Sequence, residues 1–418
     1  MWESLLAPSL DSFRLEVREW LDSSATLRPV DDNNQRFGVG SDSVALFHHL
    51  SHEDERGVVD AHRQWIRRKF DAGFANVSWE QKWGGRGLPQ QFEHIFDEEE
   101  RRYVVPPLHE CVGITRGIIA PTIREIGTES QRERFLRPML RGDEVWCQLF
   151  SEPSAGSDLA GLSTTATRDG SDWLINGQKV WTSGAQFADW GYIICRTNPD
   201  APKHQGLTAF LVPMTAQGVD VRPLRQMTGG SSFNEVFFTD VRVPDENRLG
   251  DVGAGWRVAL TTLRFERSFS KVSNTLQSTT RLIDLAQHLG VNNDPHIRQL
   301  LASAYTCEVL QDLTGRRVRA SIRSGELPGP EGSIGKVFRT DTYQLLNRVA
   351  TAILGPRLIA DTGEWGTFAW AEHVVGTPGW RVAGGTDEIQ RNIIAEQVLQ
   401  LPREPRLDKD VPFRERPR

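Results

Sequence analysis

The first third of the chain places apolar residues three or four positions apart, which is the spacing of amphipathic helices. Runs of acidic and basic residues lie between them and are typical of solvated helix faces. The clearest segments are SFRLEVREWL, the run over 62–74, QFEHIFDEEERRYVV and SQRERFLRPMLRG. This pattern predicts an N-terminal helical domain over residues 1–145.

Near Trp146 the pattern changes to short runs rich in β-branched and aromatic residues, which Gly, Asn, Asp and Pro separate. The runs are TTATRDG, DWLINGQKVWTS, WGYIICRT, LTAFLVPM, VDVRPL and NEVFFTDVRV. A stretch of about 100 residues is a normal size for a domain. We therefore predict a middle antiparallel β domain over residues 146–250.

Helical spacing returns after Gly250 and continues through two long runs over 253–290 and 294–322. A glycine-proline loop, GELPGPEG, then precedes the helical run SIGKVFRTDTYQLLNRVATAILG, and a last helix is predicted to begin near Thr386. These runs predict a C-terminal helical bundle over 251–418. The fold class that follows is α+β, with domains in the order helices, β domain, helices.

The composition of the chain argues against several classes of protein. The 418 residues are 38% hydrophobic and 25% charged, with a net charge of -6, which disfavours proteins that bind nucleic acid or an anionic membrane surface. No stretch approaches the roughly 20 apolar residues that cross a bilayer. The N-terminus lacks the basic start of a signal peptide, so we expect a cytoplasmic protein.

The cysteines occur singly along the chain. The four cysteines have no CxxC spacing, so we expect thiols in a reducing compartment and no zinc site. The pair His109-Glu110 is interpreted as the end of a helix and not as a catalytic dyad. Four further histidines lie near the N-terminal loop without ligand partners in the sequence: His48, His49, His52 and His62.

Two short motifs carry more specific chemistry. The loop QLFSEPSAGSDLAG, residues 148–161, offers the hydroxyls of Ser151, Ser154 and Ser157, and Gly156 allows the backbone to approach a ligand closely. Such a loop can cradle a phosphate, although alone it is more often an ordinary loop. The second motif is GQKVWTSG, residues 177–184.

Together these motifs resemble the acyl-CoA dehydrogenase family, whose β domain carries an EPxAGSD loop and a GxKxWxT/S strand. The segments PGPEGSIGK and GGTDEIQRNIIAEQVLQLPRE also resemble family members. The resemblance implies a flavoprotein of fatty acid metabolism that uses FAD to introduce an α,β double bond into an acyl thioester. It also implies a homodimer or homotetramer that passes electrons to an electron-transferring flavoprotein.

The resemblance assigns roles to individual residues. Ser151 would meet the flavin ring, Trp181 would lie against the isoalloxazine, and Ser183 would lie near flavin N5. The alternative for Trp181 is that it fills the β core. The full set of implied FAD contacts is Phe150, Ser151, Gly156, Ser157, Trp181, Thr182, Ser183, Gly355, Thr386 and Glu388. The implied substrate contacts are Ser157, Arg267 and Gly384.

The catalytic base is not in its most common place. Many family members carry a glutamate two residues before the threonine of the closing motif, where this chain has Gly384. Isovaleryl- and long-chain relatives place the base on the helix after the β domain, directly before an arginine. Here Gly255 is followed by ten residues and then Glu266-Arg267, so the resemblance implies that Glu266 is the base.

The residues themselves leave two interpretations of Glu266 open. On a helix it shares a face with Leu263 and Phe269, where an apolar setting would raise the pKa of its carboxyl towards that of the thioester α-carbon. The backbone N–H of Gly384 would then stabilise the thioester oxygen. The alternative is a structural ion pair between Glu266 and Arg267 or Arg264.

Other features keep rival functions open. Glu388 stands where many relatives have glutamine, and Ala352 also departs from the family pattern, which weakens the implied contacts with FAD of a second subunit. The acyl group could ride on a carrier protein instead of coenzyme A. The chain could also be a non-catalytic partner subunit, or a flavin oxygenase, which Trp181 would hinder by shielding the flavin.

Overall fold

The computed structural model describes residues 8–29, 37–269, 276–323, 329–405 and 410–416. Within these ranges, the side chains of 267–269, 276–277 and 321–323, and that of residue 319, are outside the description. Arg267 and Phe269, two of the residues used to interpret Glu266, therefore contribute only their backbone. In the described part, no helix combines the length and apolar character needed to cross a membrane.

The N-terminal third is helical, as predicted. Ser9 and Ser51 begin the first two helices by accepting backbone N–H groups of the first turn. A π-helical turn, Thr115–Ile119, joins the fourth and fifth helices into one continuous rod. The helices are α1 (Leu10–Ser24), α2 (His52–Asp71), α3 (Gln91–Glu100), α4 (Glu110–Ile114), α5 (Ala120–Ile126) and α6 (Glu129–Arg141).

One predicted helix is too long. The run QFEHIFDEEERRYVV leaves the helix after Glu100, and Tyr103–Val104 forms strand β2, which pairs with β1 (Thr26–Leu27). Two prolines follow this run, and the residue before a proline is disfavoured in the helical region. Tyr103 is buried, and its hydroxyl donates to Asp22 at 2.6 Å, which ties β2 to α1.

The middle segment forms one eight-stranded sheet in the order β10-β7-β6-β4-β5-β9-β8, with β3 beside β6. Its strands are β3 (Trp146–Leu149), β4 (Thr165–Asp169), β5 (Asp172–Ser183), β6 (Trp190–Arg196), β7 (Leu207–Pro213), β8 (Val219–Leu224), β9 (Phe233–Pro244) and β10 (Arg248–Leu249). The predicted antiparallel sheet is mostly right. However, β3 runs parallel to β6, and β4 meets β6 in parallel at Thr165 and Arg196.

The C-terminal part returns to helices: α7 (Gly255–Phe269), α8 (Leu276–His288), α9 (Pro295–Arg323), α10 (Gly332–Leu354), α11 (Ala369–Val382) and α12 (Asp387–Ile393). Helix α11 was not predicted, because Gly376, Pro378 and Gly379 lower its helix propensity. Burial of Trp370 and His373 against α10 supports it instead.

Helix α7 lies where the three parts meet. Thr262 is fully buried, and its hydroxyl lies 3.2 Å from Thr122 of α5 and 3.2 Å from the Tyr192 hydroxyl of β6. Glu266 follows Thr262 by four residues and so extends the same face of the helix. Thr262 thus packs between the N-terminal helices and the β domain, and Glu266, one turn further along α7, reaches the loop that contains Gly384.

Candidate active site

A buried ion pair fixes the loop over 148–161 to strand β5. Lys179 is fully buried, and its Nζ lies 2.9 Å from Glu152 Oε1 and donates to the Phe150 carbonyl at 3.0 Å. Glu152 also accepts the backbone N–H groups of Ser163 at 2.6 Å and Thr164 at 2.9 Å. Burial alone would raise the pKa of Glu152, but Lys179 and these donors hold it below its usual value.

The ion pair explains why the two motifs occur together. Sequence reasoning assigned roles to the residues around Glu152 and Lys179 and missed the pair itself. The available signal was the fixed place of each charge in its motif, EPSAGSD and GQKVWTSG. The pair is structural, and it sets the position of Phe150 and Ser151 relative to Trp181.

Trp181 lies on the surface of the β domain and does not fill its core. Trp181 is 61% exposed to solvent. Its backbone has a φ angle of 60°, in the left-handed region that non-glycine residues rarely occupy. A register shift between Lys179 and Thr182 on the β9 side accommodates this conformation. A large, exposed indole on a locally fixed backbone is well suited to cover a planar ligand.

The two residues after Trp181 point in different directions. Thr182 is 1% exposed, so its side chain faces the interior and only its main chain could contact a ligand on the outer side. Ser183 is half-buried, and its hydroxyl donates to Glu110 Oε1 at 3.1 Å. Thus Ser183 is held by a residue at the start of α4.

Glu110 is a site residue that the sequence did not identify. The interpretation of His109-Glu110 as a helix end is confirmed, because His109 is the N-cap of α4 and its side chain accepts the Cys111 N–H. Glu110 retains an exposed edge, yet the surrounding protein desolvates its carboxyl group and raises its pKa. The carboxyl group of Glu110 therefore adjoins and orients the hydroxyl of Ser183.

The loop residues Gly156 and Ser157 are exposed. Among the described residues, no atom lies within 4 Å of the position that a Cβ would take at Gly156. Mutual hydrogen bonds between the main chains of Glu152 and Ala155, both 3.0 Å, close the turn before Gly156. The loop thus presents open backbone and a hydroxyl beside the motif strand, which is the character of a phosphate cradle.

Glu266 and Gly384 face one another across a narrow space. Glu266 Oε1 lies 3.6 Å from the position that a Cβ would take at Gly384, and the Glu266 residue is half-buried. Gly384 has φ 66, and Gln390 Nε2 donates to its carbonyl at 2.8 Å, which fixes the loop before α12. Arg264, one of the alternative partners of Glu266, has its guanidinium on Glu125.

The closing motif is anchored by a buried carboxylate. Asp387 is fully buried and accepts from Lys336 at 2.6 Å, Thr340 at 2.9 Å and Arg381 at 2.9 Å. Burial alone would raise the pKa of Asp387, but these donors lower it. The pair between Lys336 and Asp387 thus joins the segment PGPEGSIGK to the segment GGTDEIQRN.

The other predicted cofactor residues of the C-terminal domain lie around this anchor. Thr386 caps α12 by accepting the Ile389 N–H at 3.2 Å. The Glu388 side chain is 72% exposed and 4.0 Å from Arg381, so its charge faces solvent. Gly355 ends α10 with φ 52 and ψ -128, a conformation that favours glycine.

Three family profiles match consecutive parts of the chain: the acyl-CoA dehydrogenase N-terminal domain over 45–143, the middle domain over 147–241 and the C-terminal domain over 253–399. The chain belongs to the acyl-CoA dehydrogenase family. The fold and the resemblance that the motifs predicted are thereby confirmed. As a family member it is a flavin-dependent oxidoreductase that acts on acyl-CoA.

Named relatives cover most of the chain. Acyl-CoA dehydrogenase IpdE1 of Mycobacterium tuberculosis is 35% identical over 405 residues, which is 94% of this chain and 98% of the relative. Acyl-CoA dehydrogenase FadE34 of the same organism is 38% identical over 337 residues, 80% of this chain and 45% of the relative.

Solved structures of the family superimpose along the chain. A structure described as the Tcur3481-Tcur3483 steroid ACAD has a TM-score of 0.74 and 27% identity, and the match covers 96% of this chain and 100% of that one. The ChsE4-ChsE5 complex from Mycobacterium tuberculosis has a TM-score of 0.69 and 28% identity, with 97% and 100% covered.

The residues of this acyl-CoA dehydrogenase fit a flavin. Exposed Trp181 offers a planar apolar surface, Ser183 offers a hydroxyl held in place by Glu110, and the loop around Gly156 has room for a phosphate. All three features lie on or beside strand β5 and the loop that Lys179 fixes to it. A cofactor with a ring system and phosphates can therefore be held by neighbouring parts of one domain.

Proposed function

We propose that this acyl-CoA dehydrogenase removes the α-proton of its acyl thioester with Glu266. The observation that carries the proposal is the 3.6 Å between Glu266 Oε1 and the Cβ position of Gly384. By the family resemblance, Gly384 occupies the backbone position of the more common base. A carboxylate that approaches the Gly384 position from α7 can serve the same carbon atom as a carboxylate attached there.

The substrate would be oriented by the main chain around Gly384. The N–H of Gly384 donates to the thioester oxygen, which increases the acidity of the α-carbon before Glu266 takes the proton. Arg267 and Ser157 are the further substrate contacts that we assign by resemblance. The base keeps the proton at its carboxylate until the unsaturated product has left.

FAD, when bound, supplies the hydride acceptor at N5. The middle domain would hold it through Phe150, Ser151, Gly156, Ser157 and the strand residues Trp181 to Ser183. In this arrangement Trp181 would cover the ring system and exclude water from it, and Ser183, whose hydroxyl Glu110 orients, would lie near N5. Gly355, Thr386 and Glu388 would complete the site, in part for the FAD of a neighbouring subunit.

The substrate class that we favour is a coenzyme A thioester with a bulky, steroid-type acyl group. Two similar structures are described as a steroid ACAD and its variant. Gly384 places no side chain opposite Glu266, which leaves more room near the α-carbon than the glutamate of other family members would. Anaerobic flavin bleaching by a steroid-side-chain thioester, compared with octanoyl-CoA, tests this choice, and faster bleaching by octanoyl-CoA would contradict it.

We further infer that the enzyme is an oligomer, and that an electron-transferring flavoprotein reoxidises it. The first candidate is a homodimer or homotetramer. The second candidate is a hetero-oligomer, which is supported by structures that pair two different chains, such as the ChsE4-ChsE5 complex. Native mass spectrometry of the protein purified alone distinguishes them. A homo-oligomer with full flavin content would exclude a need for a second chain.

The cofactor assignment has a direct test with a matched control. Ser157→Leu should crowd the phosphate position and lower the flavin-to-protein ratio, whereas Ser154→Leu, at another exposed serine of the same loop, should leave it unchanged. The ratio is read from the visible and ultraviolet absorbance of the purified proteins. Equal flavin content in both variants would show that Gly156 and Ser157 do not hold the phosphates.

A further inference from the structure

A cluster of buried polar side chains lies next to Glu110, the residue that holds Ser183 at the end of β5. Glu55 of α2 and His109, the N-cap of α4, are 2% and 4% exposed, and half-buried His48 completes the cluster. Glu55 Oε1 lies 3.0 Å from His109 Nε2 and 3.5 Å from His48 Nε2. The cluster therefore points two imidazole nitrogens at a single carboxylate oxygen.

These separations suit a metal ion. The three ligand atoms all lie within 4.8 Å of one another. Zinc binds histidine nitrogen and carboxylate oxygen at about 2.0–2.2 Å in tetrahedral geometry, which places neighbouring donor atoms roughly 3.3–3.5 Å apart. Of the two distances to Glu55, that of 3.5 Å from His48 lies at the upper end of this range and that of 3.0 Å from His109 lies just below it, so small side-chain shifts would close the coordination sphere.

The charge of Glu55 also favours a cation. In the described part of the chain, no lysine or arginine comes within 4.0 Å of its carboxylate. Its second oxygen accepts from Gln186 Nε2 at 3.1 Å, a neutral donor. A buried carboxylate is costly unless a positive charge compensates it, and a bound cation would supply that charge.

The His109 ring has a partner in either tautomer. With no metal, its Nε2–H donates to Glu55, and its Nδ1 accepts from the Cys111 backbone N–H at 3.3 Å. With Nε2 bound to a cation, the hydrogen moves to Nδ1, which lies 2.9 Å from Cys111 Sγ and can donate to it. Metal-bound histidines usually donate their second ring N–H in this way.

Two cavities open the cluster to solvent. One of about 250 Å³ is lined by His48, and another of about 330 Å³ is lined by Glu55 and Gln186. They provide an entry path and room for a water as the fourth ligand, which three-ligand zinc sites retain.

We propose that His48, Glu55 and His109 form a binding site for one zinc-type divalent cation. Two nitrogen donors exclude magnesium and calcium, which prefer all-oxygen sites. The cation would tie the segment before α2 to the start of α4, where the next residue, Glu110, holds Ser183. Its role is structural support of the active-site edge, and it does not depend on the identity of the substrate.

Zinc binding by the full-length flavoprotein, stripped of metal with a chelator, tests the proposal. Calorimetric titration with Zn²⁺ should give one site per chain, and Co²⁺ should give the strong visible bands of a tetrahedral site. His48→Gln should weaken Zn²⁺ binding at least about 10-fold, the lower end of the effect of losing even a supporting partner. His49→Gln is the matched control, because His49 faces Glu372 at 3.5 Å and lies outside the cluster.

The thermal midpoint gives a second measurement. At one fixed Zn²⁺ concentration, zinc should raise it by the same amount in the parent and in His49→Gln and by less in His48→Gln, since the stabilisation depends on how tightly the folded state binds the cation. No stoichiometric uptake by the parent, or equal Zn²⁺ affinity in the two variants, would overturn the proposal and leave the cluster as a hydrogen-bond network.

Discussion

Glu266 Oε1 lies 3.6 Å from the place that a Cβ would occupy at Gly384, so α7 and the loop before α12 border the same space. A carboxylate can enter that space from either backbone position. On this relationship rests the proposal that Glu266 acts as the base in a chain with glycine at the more common base position. The same relationship also means that the carboxylate can be moved by mutation from residue 266 to residue 384 and the effect on activity measured.

Moving the base should restore part of the activity. Glu266→Gly should slow flavin reduction at least about 100-fold, and adding Gly384→Glu should recover a fraction of the lost rate. Recovery should be partial because Gly384 has φ 66, where a side chain costs roughly 1–2 kcal/mol. Anaerobic single-turnover reduction by the best thioester substrate measures all three rates.

Gly385→Glu in the Glu266→Gly background is the control for this rescue. A Cβ at Gly385 would lie 2.7 Å from Gln390 Nε2, so the new side chain starts against protein and not in the shared space. It should restore no activity. If the Gly384→Glu double variant reduces flavin no faster than this control, the shared-space interpretation is contradicted.

The Lys179–Glu152 pair should be needed for both stability and flavin binding. Lys179→Met leaves Glu152 buried without its countercharge, which should destabilise the protein by about 3–5 kcal/mol and lower the flavin content. Combining it with Glu152→Gln should recover much of the stability. Chemical denaturation and the absorbance ratio measure the two effects.

Lys82→Met controls for the loss of a lysine. Its partner Glu129 is 3.5 Å away, and both side chains are more than half exposed, so the change should cost about 1 kcal/mol or less. Equal destabilisation by the two lysine variants would show that burial of the Lys179 pair has no special consequence.

A buried glutamate of α9 should make stability depend on pH. Glu308 is 1% exposed, and burial raises its pKa to about 7. The folded state therefore holds this proton more tightly than the unfolded state, so the contribution is complete below about pH 4.5 and is lost as pH rises through 7. Glu308→Gln removes this titration. The free energy of unfolding of the variant minus that of the parent should therefore be about 1–3 kcal/mol larger at pH 8 than at pH 5.

The comparison needs thermal midpoints of parent and variant at both pH values. Glu133→Gln, at an exposed position of α6, controls for the general loss of a carboxylate. A difference between Glu308→Gln and the parent that is the same at pH 5 and pH 8 would rule out titration of Glu308 in this range.

Much of the fold follows from local pattern. The predicted segments for β5 and β8 coincide with the strands, because alternating burial and flanking glycines mark both. Strand β3 has only four residues and adjoins the motif loop, which is too short a run to show the alternation of apolar and polar residues that identifies a strand. Helix α11 depends on burial of Trp370 against α10, and tertiary packing of this kind is invisible in local propensity.

The site was predictable as motifs and not as contacts. The loop and strand motifs and the Glu266-Arg267 register predicted which residues surround the proposed cofactor site and which residue is the proposed base. The pairs Glu110 with Ser183 and Lys336 with Asp387 join residues that are distant in sequence, and a single sequence carries no distance information. The exposure of Trp181 was likewise undetermined, because a tryptophan fits a β core equally well.

Rapid-mixing measurement of flavin bleaching by Glu266→Gln tests the central claim most directly. The variant keeps the shape of the side chain and removes the proton acceptor, so it should stay folded, yellow and able to bind thioester, while flavin reduction falls at least about 100-fold. Glu125→Gln is the control. It removes a carboxylate of α5 that pairs with Arg264, a neighbour of Glu266 on α7, and this variant should reduce flavin at nearly the parental rate. Near-parental bleaching by Glu266→Gln would contradict the assignment of Glu266 as the base.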